Sequence, residues 1–330
     1  MKFKTVLIKD CLGLIIAGTI LVTNEGKKFK ISKGTKINIK IKKILIENGY
    51  DKINGFFLEN NDIEENKAAK LIAKNFCKKK KNNLNYNNLN TGRSNIHATK
   101  PGLFIYNSND LIDLNSNSKI AISAIRPFSK VVKNQELITV KVIPYSIENE
   151  LLTITNKKVN DAFKVVPFQK KSVSLIQTYQ IKKNEKVLKK AKFVTEKRIA
   201  SCGINSLNEI ITVHEKEKLC DKIKLCIKNE DDLILIIGPH AITHTKDIIP
   251  NAISMSGAKI IRFGIPVEPG NLLLLSEFKS INKKIYIIGM PSCAKSPKEN
   301  GFDWILWRIL SDVNFNNLNI NELSVGGFIK

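Results

Sequence analysis

The chain has 330 residues, enough for about two domains of ~100–200 residues each, and 43% hydrophobic residues supply a sizeable core. Its 17 Gly and 10 Pro are too few for a fibrous or wholly disordered chain, and no apolar run approaches the ~20 residues of a membrane span. Lys and Arg number 54 against 30 Asp and Glu, for a formal net charge of +24.

Such an excess ordinarily points to nucleic acid or a membrane surface. Only five of the cations are Arg (Arg93, Arg126, Arg198, Arg262, Arg308), and 54 − 5 leaves 49 Lys. Arg is the residue of bidentate phosphate and guanine reading. The Lys do not alternate with aromatic residues as a stacking groove requires. The charge therefore reads as a solvated Lys surface, and nucleic acid is disfavoured as a partner. The six Cys (11, 77, 202, 220, 226 and 293) form no CxxC pair and no Cys/His cluster with zinc spacing, which argues against a disulfide scaffold or a structural zinc site.

The opening MKFKTVLIKDCLGLIIAGTILV imitates a signal peptide, but Asp10 interrupts it and no small-residue cleavage site follows. Strands punctuated by Gly13 and Gly18 fit better, and a cytoplasmic protein is expected, in keeping with unpaired Cys. KISKGTKI predicts a strand–turn–strand. Ile41, Ile44 and Leu45 have helical spacing, closed by Gly49. Residues 62–76 predict a second helix with Asp62 as its N-cap. The Lys- and Asn-rich tract 77–90 reads as a low-complexity linker. GLFIYNS predicts a strand, DLIDLN a short helix and ITVKVIPY a strand ending at Pro144. The first region, 1–165, is thus an irregular α+β unit.

From residue 166 the pattern changes. Apolar strands are expected in KSVSLIQT, EIITVH, DDLILIIG, KIIRF and KKIYIIGM, with helices between and after them. The helix after EIITVH should turn Leu219, Ile223, Leu225 and Cys226 inward. Trp304 and Trp307 are expected to pack the closing helix, FDWILWRILSD. Near-continuous apolar strands alternating with helices predict an α/β domain over 166–330, a doubly wound, mostly parallel sheet covered on both faces.

Ligands of such sheets bind at the carboxyl ends of the strands, and three predicted strand ends carry unusual residues. The first is Gly238-Pro239-His240-Ala241-Ile242-Thr243, leading to Asp247 before a helix. Its backbone N–H groups can hold an anion, while Asp247 alone reads equally as an N-cap. His240 and His244 stand i,i+4 without a carboxylate partner, a weak metal signal, and no metal ligands are assigned from the sequence. The second is the stretch containing Glu268, Pro269, Gly270 and Asn271, a rigid turn or a stiff wall beside a ligand. The third runs from Gly289 through Pro291 and Ser292, with Cys293 a packed thiol rather than a nucleophile for want of a base. None matches the common nucleotide fingerprints.

With these loops in place, residues 168–312 resemble the molybdopterin-binding domain of the molybdenum-cofactor biosynthesis proteins. GPHAITHTKDIIPNAI stands where that family has a Gly-rich loop leading to an Asp, PVEPGN resembles its PG loop, and GMPSCAKSP its GLPGNP loop. The whole chain is similar to a subgroup often fused to a nucleotidyltransferase domain, through TGRSNI, VKVIPY, VEPGNLLLL, GMPSCAKSPKENGFDW and VGGFI. AGTILV and KISKGTKI resemble the opening of the molybdopterin molybdotransferases. The sequence given ends at Lys330, before any such extra domain, so nucleotidyltransferase activity is not expected.

The resemblance implies molybdopterin as ligand or substrate, with Thr178 at the carboxyl end of the opening strand. Gly238, Pro239, His240, Ala241, Ile242 and Thr243 would hold the terminal phosphate. Pro269, Gly270, Asn271, Gly289, Pro291 and Ser292 would wall the pocket, and Asp247 would be the catalytic carboxylate. Two departures bear on the chemistry. The family's Gly-Asp-Glu is Tyr179-Gln180-Ile181 here, and its GGTG is Gly238-Pro239-His240-Ala241. These losses weigh against magnesium as a second ligand and against adenylylated-intermediate chemistry. Molybdopterin binding with molybdate transfer to the pterin dithiolene is one expectation. A non-catalytic carrier serving a separate nucleotidyltransferase or molybdoenzyme is the other. Homo-oligomers are common among such relatives.

Overall fold

The computed structural model describes residues 2–24, 26–159, 162–281, 283–315 and 320–329. The chain divides into two compact units, Met1–Val166 and Pro167–Lys330. No helix among the described residues is long and apolar enough to cross a membrane.

The first unit is mixed α+β. Lys52–Phe57 lies between Lys2–Leu7 and Ile15–Ile16 in an antiparallel sheet, beside a hairpin of Ile20–Asn24 and Lys27–Ile31. The expected second arm of KISKGTKI is only a bridge, Ile15 to Lys36. The helix Ile39–Glu47 is capped by Asn38, which accepts from the Ile41 N–H at 2.9 Å. Leu14, Ile16, Ile37 and Leu45 are the centre of this part's core.

A second core lies under the helix Glu65–Phe76, whose Ala68, Ala69, Ile72, Ala73 and Phe76 are buried. These residues recur at helical spacing and pack on the sheet Ile120–Ala124, Glu136–Val142, Arg93–Ala98 and Leu84–Leu89. Two expectations are corrected here. The helix is capped by Glu64, which accepts from the Lys67 N–H at 3.0 Å, because Asp62–Glu64 pairs as a strand with Ser146–Glu148. The tract 77–90 is no linker: Leu84–Leu89 pairs along its length with Arg93–Ala98, and Leu84 is buried. Its polar residues alternate with Leu84 and Tyr86, so an amphipathic strand was hidden by the tract's composition.

The second unit is an α/β sheet. Its elements are β1 (Val173–Tyr179), α1 (Glu185–Ala200), β2 (Asn208–Val213), α2 (Lys216–Lys228), β3 (Leu233–Ile237), α3 (Ile248–Met255), β4 (Lys259–Phe263), β5 (Leu274–Lys279), β6 (Lys284–Gly289) and α4 (Gly301–Leu310). The strand order is β2-β1-β3-β6-β5-β4. The first four strands in that order are parallel, and β5 is antiparallel to both its neighbours. A mostly parallel sheet is thus present, with one reversal that its expected parallel pattern lacked. The reason is local: the few residues between β5 and β6 suffice for a hairpin, whereas a parallel crossover needs a dozen or more.

Ile176, Ile234 and Ile236 pack with Leu219, Ile223, Ile249 and Ile253 of α2 and α3. Gln177, pointing the opposite way by strand alternation, donates to the Leu188 carbonyl of α1 at 3.1 Å. On α2 the inward residues are Leu219, Cys220, Ile223 and Cys226; Leu225 is exposed, a correction of one position on the helical wheel. All ten residues of α4 are buried, Trp304 and Trp307 among them, as the packing expectation requires.

Candidate functional site

One row of paired residues crosses the sheet: Ile210, Ile176, Ile236, Gly289, Leu274 and Phe263. The strands that lead into the three sequence-predicted loops end at or just past this row. Gly238, Gly264 and Met290 therefore leave the sheet along one edge, the carboxyl edge of its parallel strands, where ligands of such sheets bind.

Packing then ties the loops together. Lys295, in the third loop, donates from Nζ to the Gly238 carbonyl of the first at 2.9 Å. The second loop meets the start of α4: the Gly301 N–H donates to the Pro269 carbonyl at 2.8 Å. Gly270 has φ +128°, and a Cβ there would lie 2.5 Å from the Gly301 nitrogen, so the approach admits only glycine. Gly289 is less constrained: a Cβ there would come within 2.6 Å of Ile242 Cδ1, a side-chain end that can shift. Ile242 is buried and is the plug that seats the first loop on the sheet.

Arg198 of α1 fixes the third loop. Its guanidinium pairs with Asp303 at 2.8 Å and donates to the carbonyls of Ala294 at 2.8 Å, Ser296 at 2.6 Å and Lys298 at 2.8 Å. One planar side chain thereby holds five residues of loop and the first turn of α4 in register. Burial nevertheless holds the Asp303 carboxyl above its ordinary range, with Arg198 opposing.

A cavity of about 340 Å³ opens between the end of β1, the first turns of α1 and Gly238–Pro239. Its polar wall comprises Gln177, Thr178, Tyr179, Gln180, Lys182, Asn184 and Lys295, and among the described residues no carboxylate lines it. Of the residues expected at the site, Thr178, Gly238 and Pro239 line this cavity. His240, Ala241, Ile242, Thr243, Asp247, Pro269, Gly270, Asn271, Gly289, Pro291 and Ser292 do not line it, although their loops share its edge. Asp247 caps α3, its carboxylate accepting from the Ile248 N–H at 2.6 Å.

Behind the cavity wall stands His214, 6% exposed, just past β2. Its Nδ1 lies 2.8 Å from the Thr178 hydroxyl, which is also 3.3 Å from the Ile237 carbonyl. Nε2 is buried and has no hydrogen-bond partner among the described residues, a condition that ordinarily costs ~1–3 kcal/mol. The His240 ring lies edge-on to it, 5.3 Å between centroids. Burial, then His240, lowers the His214 pKa below the ordinary 6.5, with Asp247 opposing. Burial likewise lowers that of Lys295.

A prediction about acid stability arises here. As pH falls below 6.5 the unfolded chain protonates at His214 while the folded chain resists. The stability owed to this group is complete above that value and declines below it. Urea unfolding at successive pH values should show that decline reduced in His214→Asn. An unaltered pH slope contradicts the assignment.

Sequence reading missed His214, Lys295 and Arg198. The only local signals were a rare His closing an apolar strand and a Lys within a small-residue loop. Cys293 is as expected a packed thiol, its pKa raised by burial. Among the described residues no three His, Cys, Asp or Glu side chains gather where they could hold a metal ion. His244 instead accepts the Lys246 N–H at Nδ1, 2.9 Å away.

The arrangement suits an anionic group with neutral hydrogen-bonding neighbours. Two lysines, Lys182 and Lys295, stand at the wall with two hydroxyls, three side-chain amides and strand-end backbone, and among the described residues no acid lines it to repel the ligand. No family model matches the chain, and no curated protein matches it either.

Proposed function

We propose that the second unit is a doubly wound molybdopterin-binding domain of the molybdenum-cofactor biosynthesis type, and that its cavity receives the phosphate end of the pterin. The observation that carries this reading is the Lys295–Gly238 tie, which closes a carboxylate-free cavity at the strand ends where phosphates bind. Thr178, Gly238 and Pro239 form the wall behind the phosphate, and Lys295 supplies its counter-charge. His240, Ala241 and Thr243 continue the rim, with Ile242 as its buried anchor. Pro269, Gly270, Asn271, Pro291 and Ser292 belong to the neighbouring loops, and would confine the rest of the pterin. When bound, the pterin supplies a dithiolene as the acceptor of metal; the chain's own residues bind, orient and exclude water.

Two readings of the role differ in chemistry: molybdate transfer to the dithiolene, or carriage of the cofactor for a separate nucleotidyltransferase or molybdoenzyme. The cavity favours carriage, because Gln180 and Ile181 line it where the resembling family has carboxylates. A single turnover with molybdopterin, molybdate and nucleotide should return the pterin unconverted. Molybdenum-loaded product would establish transfer instead.

Two variants locate the site. Lys295→Ala removes a charge-assisted contact, so it should weaken pterin retention about tenfold or more, read by fluorescence of the released, oxidised pterin; equal retention places the ligand elsewhere. Asp247→Asn keeps an oxygen to cap α3 while removing the charge. Thermal stability should change by under about 1 kcal/mol, while pterin binding or turnover falls. Unchanged binding and turnover would end the proposed role of Asp247.

A further inference from the structure

A concavity of about 810 Å³ lies in the first unit, beside the carboxyl end of the helix Glu65–Phe76. Its wall includes Lys74, Lys78, Lys80 and Lys100, and no Asp or Glu. None of these four ammonium groups pairs with a carboxylate among the described residues. A helix end carries only about half a negative charge, which one lysine satisfies. Converging cations in a recess create a focused positive potential that dispersed surface lysines do not.

The remaining wall is of another kind. Tyr86 presents a half-buried ring, and Asn156 a buried side-chain oxygen with no hydrogen-bond partner among the described residues. The Asn156 main-chain carbonyl is already taken by the Asn75 amide. Asn83 is held by the Val165 carbonyl at 2.9 Å, which fixes the floor of the recess. An inorganic phosphate satisfies the lysines, and its P–OH is a donor for Asn156, but it offers nothing flat to Tyr86. An occupant with phosphoryl groups, a planar ring and an exocyclic amino or sugar hydroxyl group satisfies all three features.

We propose that this recess binds a nucleoside di- or triphosphate. The phosphates sit among Lys74, Lys78, Lys80 and Lys100, the base lies against Tyr86, and an N–H or O–H of the nucleoside donates to Asn156. The volume is that of an ordinary small-ligand site, ~300–1,000 Å³, and suits one nucleotide.

Equilibrium dialysis of the purified full chain with ATP at about 0.15 M salt tests this. ATP should be retained, inorganic triphosphate should bind more weakly, and adenosine should not bind measurably. Two double variants separate the recess from bulk charge: Lys80→Ala with Lys100→Ala, against Lys218→Ala with Lys224→Ala on an exposed face of the other unit. Each removes the same charge, but only the first should weaken ATP, by about tenfold, the scale of two lost phosphate contacts. Tyr86→Leu, which keeps apolar volume, should weaken ATP and leave triphosphate unchanged. Equal losses in the two double variants, equal affinity for ATP and triphosphate, or displacement of ATP by a short oligoribonucleotide of higher affinity would each overturn the assignment, the last in favour of nucleic acid.

Discussion

Arg198→Met is expected to lower the stability of the chain by about 3–5 kcal/mol, the range for breaking a buried ion pair on one side. The guanidinium is 6% exposed and its partner Asp303 8%. Removing it leaves the Asp303 carboxylate buried without its cation and three loop carbonyls without their donors. The pair does not have to be net stabilising for this to follow: burial already outweighs Arg198 in setting the Asp303 pKa. What costs is the orphaned charge. Arg198→Lys should recover little, because a single ammonium cannot meet a carboxylate and three carbonyls in one plane. Adding Asp303→Asn to Arg198→Met should restore part of the loss, since an amide still accepts from Asn300. Urea unfolding of the three variants measures this. A loss below about 1 kcal/mol, within the range of an exposed pair, would mean that the loop is held by other contacts.

Trp304→Ala should cost about 3–5 kcal/mol, the usual range for emptying a buried aromatic site, or roughly 10 °C in melting temperature for a unit of this size. Trp304 is 3% exposed, and its Nε1 donates to Glu299 at 2.7 Å. It lies on a helix buried on every side, with no solvent face onto which neighbours can relax. Trp304→Phe should lose less, keeping the ring's bulk and dropping the hydrogen bond, whose net worth is about 1 kcal/mol. An unchanged melting temperature for the alanine variant would contradict the packing role.

The elements of the second unit were legible because their signals are local. Leu233–Ile237 is a bare apolar run, Gly203 follows the end of α1, and Asp247 stands where a cap belongs. The reversal of β5 was not legible, since LLLL reads alike in either direction and only its pairing partners decide. Leu225 and Cys220 exchanged places because a small thiol and a leucine differ little in pattern and much in where the wheel turns them. The tract 77–90 failed for the opposite reason, its Asn and Lys content hiding a period of two.

The site divides in the same way. That three loops leave one edge followed from strands ending in Gly and Pro. Which of them would enclose a cavity did not. Arg198 and Lys295 make contacts across 57 to 105 residues of sequence, and no local pattern announces such partners. Gln180 and Ile181, noted only as replacements for acids, turn out to be cavity wall.

The most direct measurement is a crystal structure of the chain grown with molybdopterin. The phosphate is expected within hydrogen-bonding distance of Lys295 Nζ and against the Gly238–Pro239 backbone, with the pterin running along the carboxyl edge of the sheet. A pterin bound away from that edge, or a cavity still without it at saturating concentration, would contradict the proposed function.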